Sequence, residues 1–103
     1  MMDREGGDNR VRAHVVAQGR VQGVGFRMFL QSHAARRGLS GWVRNLPDSR
    51  IETEVEGARV LVDEFIQALT CGPSLAQVQD VRVEWIDPNV QDSSDFVIIH
   101  GSD

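Results

Sequence analysis

The chain has 103 residues and a mass of 11.5 kDa, enough for one small domain with a shallow core. Hydrophobic residues make up 41% and charged residues 25%, an ordinary globular balance, and no apolar run is long enough for a membrane-spanning helix. The formal charge is −4, and all 11 basic residues are arginine, so a Schiff-base lysine and a Walker-type phosphate lysine are both excluded.

Residues 1–10 are polar and without periodicity and read as a flexible N-terminal tail, leaving residues 11–103 as a single domain. Val11, Ala13, Val15 and Ala17 alternate with polar neighbours and predict a strand. Gly19 to Gly25 holds three glycines in seven residues, a loop with unusual backbone demands. From Phe26 the period turns helical, with Phe26, Phe29, Leu30 and Ala34 on one face, Arg36 and Arg37 in the last turn, and Gly38 as the stop. Leu39 to Asn45 reads as a second strand and Leu46 to Arg50 as a proline-led turn.

Ile51 to Glu56 alternates as a half-buried strand whose other face is Glu52, Glu54 and Glu56, expected to be solvated. Gly57 is expected to end it. Leu61, Phe65, Ala68 and Leu69 mark a second helix between Ala58 and Cys71, stopped by Gly72-Pro73. Val78 to Ile86 predicts a longer strand, Pro88 to Ser94 a polar loop, and Phe96 to Ile99 a short final strand. The order β-α-β-β-α-β with an extra C-terminal strand implies an α+β, ferredoxin-like two-layer sandwich, with two helices on one face of a mainly antiparallel sheet. Such a fold leaves the chemistry open.

Charge is uneven along the chain. Residues 1–50 hold nine arginines against four acidic residues, and residues 51–103 hold two against eleven. An anionic ligand is therefore expected in the first half, while the acidic second half argues against a broad nucleic-acid footprint. The single cysteine, Cys71, excludes an internal disulfide, an iron–sulfur cluster and a four-cysteine zinc site. With no secretory-type apolar stretch after Met1, the expected compartment is the cytoplasm, with no membrane partner.

The informative stretch is Gly19-Arg20-Val21-Gln22-Gly23-Val24-Gly25-Phe26-Arg27, between a strand and a helix. Glycines there let successive N–H groups turn toward one point, and the helix behind adds its positive end. Arg27 in the first turn opposes the helix dipole, which favours a ligand, and its guanidinium can grip two phosphate oxygens. The alternative is a glycine-rich turn that needs only tight geometry. No dinucleotide-binding Gly-x-Gly-x-x-Gly is present.

This stretch resembles the first motif of the acylphosphatase family, and Gly38-Leu39-Ser40-Gly41-Trp42-Val43-Arg44-Asn45 resembles the second, with the likeness spanning roughly residues 12–100. The resemblance implies a metal-independent, cofactor-free enzyme that hydrolyses acyl phosphates to carboxylate and inorganic phosphate. It assigns the phosphate loop to Gln22, Gly23, Val24, Gly25, Phe26 and Arg27, and the catalytic pair to Arg27 and Asn45. Expected partners are a small acyl phosphate and inorganic phosphate, as product and competitive inhibitor, with the chain a monomer. Ser49 departs from the family's usual glycine, a change expected to affect the hairpin without touching the site.

Two other readings compete, a module that binds carbamoyl phosphate within a larger protein and a single-stranded RNA-binding module. The second needs exposed aromatics where Glu52, Glu54 and Glu56 stand. His14, His33 and His100 lack metal-ligand spacing and read as surface or satisfied residues. Trp42 and Trp85 read as packing residues, with Trp42 near enough to Asn45 in sequence to shape its surroundings.

Overall fold

A computed structural model describes residues 9–89 and 95–100. Its elements are β1 (Arg10–Arg20), α1 (Phe26–Arg36), β2 (Ser40–Asn45), β3 (Ile51–Ala58), α2 (Arg59–Cys71), β4 (Gln77–Ile86) and β5 (Phe96–Ile99). The strands form one sheet in the order β4-β1-β3-β2-β5. All neighbours are antiparallel except β2 and β5, which run parallel. This is the expected ferredoxin-like sandwich with its added edge strand.

Both helices cover one face. Ala13, Val15 and Ala17 of β1, Val43 of β2 and Ile51 and Val55 of β3 are fully buried beneath Phe26, Leu30 and Ala34 of α1 and Val62, Phe65 and Leu69 of α2. Val62 was not among the positions the sequence pattern picked out, whereas Leu61, which was, is only partly buried. The difference is a small rotation of α2 about its axis. Helix α1 ends in a Schellman arrangement, with the Leu39 N–H donating to Ala34 O at 3.0 Å and the Gly38 N–H to Ala35 O at 3.2 Å.

Several boundaries move. Arg10, placed in the tail by its sequence neighbours, opens β1 opposite Ala58, while residues 1–8 of that tail and 90–94 of the polar loop lie outside the described residues. Gly19 belongs to β1 rather than to the loop. It sits at a bulge where β4 approaches so closely that a Cβ would stand 2.2 Å from Gln77 O. Gly57 does not end β3 but lies inside it, opposite Val11, and packs on Leu39.

The face of the sheet away from the helices corrects the reading of the glutamates as solvated. Glu56 is fully buried, accepting from Arg10 Nε at 2.6 Å, Arg12 Nη1 at 2.8 Å and the Asn89 N–H at 2.7 Å. Glu54 accepts from Arg12 Nε, and Glu52 bridges His14 and Arg44. Cross-strand register sets the basic side chains of β1 and β2 against the three glutamates of β3. Trp42 lies on this face, alternate to Asn45, with the Arg44 guanidinium 5.5 Å from its ring. Trp85, on edge strand β4, is 43% exposed and is stacked by Arg59 at 4.1 Å rather than packed in the core.

Candidate active site

The β1–α1 connection folds into a nest because two of its residues take left-handed backbone angles. Gly23 has φ of 74° and Gly25 of 76°, a region that costs other L-residues about 1–2 kcal/mol. A Cβ at either position would meet nothing within 4 Å, so glycine is required by conformation and not by crowding. Gly25 is also the N-cap of α1 and supplies no capping side chain, and the first turn holds no acidic residue. The helix ladder opens only with the Phe29 N–H on Gly25 O at 3.0 Å. Earlier amides of the turn therefore stand at the positive end of the helix beside the loop.

Arg27 enters from the first turn of α1 and Asn45 from the last residue of β2. Together with Val21, Gly23, Gly25, Phe26 and Met28 they line one cavity of about 130 Å³, which is room for a group the volume of a few waters. Asn45 is buried at 7% exposure. Both residues have polar contacts of their own. Arg27 Nη1 and Asn45 Oδ1, each buried, have no hydrogen bond from the protein and remain able to meet a ligand.

Of the residues expected at the site, Gly23, Gly25, Phe26, Arg27 and Asn45 share this cavity, whereas Gln22 and Val24 are not among its lining side chains. Val24 packs against the core instead. The Gln22 amide donates to the carbonyls of Leu46 at 2.9 Å and Arg50 at 2.8 Å, on the turn between β2 and β3. Ser49 lies in this turn, between the two residues whose carbonyls Gln22 holds. Val21 and Met28 were not singled out from sequence. Their adjacency to the loop was the available signal, but apolar side chains there carry no chemical mark.

The other titratable groups fall elsewhere. His33 packs against Phe29 on α1, and burial, then Arg36 and Arg37, hold its imidazole below the usual value. Among the described residues no three His, Cys, Asp or Glu side chains group so as to hold a metal ion.

A family model for Acylphosphatase matches residues 13–98. The chain belongs to the acylphosphatase family. It is 51% identical over 80 residues to the acylphosphatase of Anaeromyxobacter dehalogenans, covering 78% of this chain and 86% of that one. The solved acylphosphatase of Coxiella burnetii aligns with a TM-score of 0.82 at 35% identity over 88% of this chain and 94% of its own. That of Bacillus subtilis gives 0.82 at 35% identity, covering 86% of this chain and 98% of that one. The family's activity, hydrolysis of acyl phosphates, is accordingly the activity of this chain.

Proposed function

We propose that the loop from Gln22 to Arg27 holds the phosphate of the substrate, that the Arg27 guanidinium grips two of its oxygens, and that Asn45 orients the attacking water. One observation carries this reading: Arg27 and Asn45, 18 positions apart in the chain, line a single cavity with the loop glycines and the uncapped start of α1. Backbone N–H groups, a helix N-terminus and a guanidinium are the donors that phosphoryl transfer needs, because the reaction is chiefly positioning and charge stabilisation.

Water held by the Asn45 amide attacks phosphorus opposite the bridging oxygen. The P–O bond to the acyl group breaks and its electron pair leaves on the carboxylate. A carboxylic acid of pKa about 4 needs no general acid to depart. The water's proton passes to a phosphate oxygen, giving inorganic phosphate as product and competitive inhibitor. The cycle calls on no metal or cofactor and works on one chain, and the lone thiol of Cys71 suits a reducing compartment such as the cytoplasm.

Kinetics alongside phosphate titration separates the two roles. Arg27→Ala is expected to lose phosphate affinity and turnover together, with Arg27→Lys rescuing poorly because it lacks the fork. Asn45→Ala is expected to keep phosphate affinity and lose about 10²–10³ in kcat, as when one positioned donor is removed. Weak phosphate binding with near-normal kcat in Asn45→Ala would instead move Asn45 into the cradle.

A further inference from the structure

A second concavity begins where the phosphate cavity ends. It has a volume of about 680 Å³ and lies between α1 and β5. Its helical wall is Met28, Gln31, Ser32 and Ala35, which at spacings of three, four and seven residues form one stripe along α1. Its floor includes Leu39, 1% exposed, and Phe96, 7% exposed. Met28 lines both concavities and is 70% exposed. The stripe therefore starts at the end of α1 that faces the phosphate loop and runs about 10 Å along the helix, at about 1.5 Å per residue.

We propose that this groove is the acyl subsite, and that it takes an uncharged, apolar acyl group. The inference rests on the reading of the phosphate cradle given above. The acyl carbon of an acyl phosphate is joined to phosphorus through a single bridging oxygen. Fixing the phosphate at the start of α1 thus brings the acyl group to Met28, the wall shared with the groove.

Methionine suits such a junction, because its unbranched, polarizable side chain adapts to different partners. The Gln31 amide is engaged, donating to Phe96 O at 3.2 Å, where it holds β5 to α1. Asp95 stands on the groove wall and sets its charge preference: a second carboxylate on the acyl group would meet a like charge there.

The test compares kcat/KM for acetyl, octanoyl, butyryl and succinyl phosphate. Burial of a methylene is worth about fourfold in binding, so even partial burial of the longer chain favours octanoyl over acetyl phosphate by about tenfold or more. Ala35→Trp fills the groove from an exposed helix position and lowers that ratio at least about fivefold, and Ser32→Glu does the same by charge. Gln67→Trp, on the exposed side of α2, leaves it unchanged. Butyryl exceeds succinyl phosphate in the wild type, and Asp95→Asn narrows the gap. A wild-type octanoyl-to-acetyl ratio near one, or a ratio that survives both Ala35→Trp and Ser32→Glu in folded protein, overturns the subsite. No turnover of any of the four compounds overturns the phosphate-cradle reading and the subsite with it.

Discussion

The side-chain amide of Gln22 donates to the main-chain carbonyl of Arg50 at 2.8 Å, and to that of Leu46 at 2.9 Å. One residue of the β1–α1 loop thus clamps both ends of the turn that follows Asn45. The turn itself closes through the Leu46 N–H on Arg50 O at 2.8 Å. The β1–α1 loop and the turn that follows Asn45 are held in register by side-chain chemistry, not only by the sheet.

Gln22→Ala is expected to cost about 1–3 kcal/mol in stability, the range for leaving paired carbonyls short of a donor. Its larger effect falls on the site, with kcat/KM reduced about tenfold or more through misplacement. Gln22→Glu keeps the shape but cannot donate, and sets a carboxylate against the Leu46 and Arg50 carbonyls, so the turn is pushed away and phosphate affinity falls further than in Gln22→Ala. Calorimetric phosphate titration beside thermal unfolding checks both. Equal phosphate affinity in all three proteins contradicts the clamp.

Two glycines of the same motif are predicted to fail differently. Gly25→Ala meets open space and carries only the left-handed penalty, about 1–2 kcal/mol, so the protein folds with weakened phosphate binding. Gly19→Ala drives a Cβ to 2.2 Å from Gln77 O, breaking the β1–β4 pairing at a cost of roughly 3 kcal/mol. Denaturant unfolding and phosphate binding on both variants distinguish site damage from fold damage.

Ser49 has φ of 74°, and among the described residues it is the non-glycine residue with positive φ. Ser49→Gly relieves the left-handed strain while adding unfolded-state entropy, for a net stabilisation of about 0.5–1 kcal/mol. Because Gln22 is anchored on this turn, tighter phosphate binding is expected with it. A lower midpoint of unfolding for Ser49→Gly is the contrary result.

Acid sensitivity is expected from Glu56. Burial alone would raise its carboxyl, but the Asn89 N–H, Arg12 and Arg10 outweigh burial and hold it below the ordinary 4.5. A group depressed in the folded state binds fewer protons there than in the unfolded chain. Its contribution is therefore complete above about pH 4.5 and lost as pH falls through the lower folded value. Glu56→Gln lowers stability at pH 7 by about 3 kcal/mol, since it leaves a buried arginine short of counter-charge, and flattens the acid limb of the unfolding midpoint between pH 5 and 2. An unchanged acid limb places the titration on other carboxylates.

Chelation provides the last check. Positive charge at the proposed cradle comes from Arg27 and backbone, so dialysis against EDTA is expected to leave acyl phosphate hydrolysis unchanged. A loss restored by magnesium or zinc means that the account of the site is wrong.

Local pattern determined most of the architecture. The switch from period two to helical period at Phe26, the glycine after Arg37 and the clean alternation of Ile51, Thr53 and Val55 each reflect short-range geometry that neighbouring residues specify alone. The glycine-rich connection ahead of Phe26 was legible for the same reason, because clustered glycines before a helix start are a local feature. Strand partners are not local. Whether Glu56 meets water or two arginines depends on the register of β1 against β3, which brings residues 44 positions apart into contact. The same holds for the exposure of Trp85, decided by an edge position in the strand order, and for Gln22, whose amide reaches carbonyls more than 20 positions away. Sequence supplied the donors and the turns; only the assembled sheet decided which acceptors those donors would find.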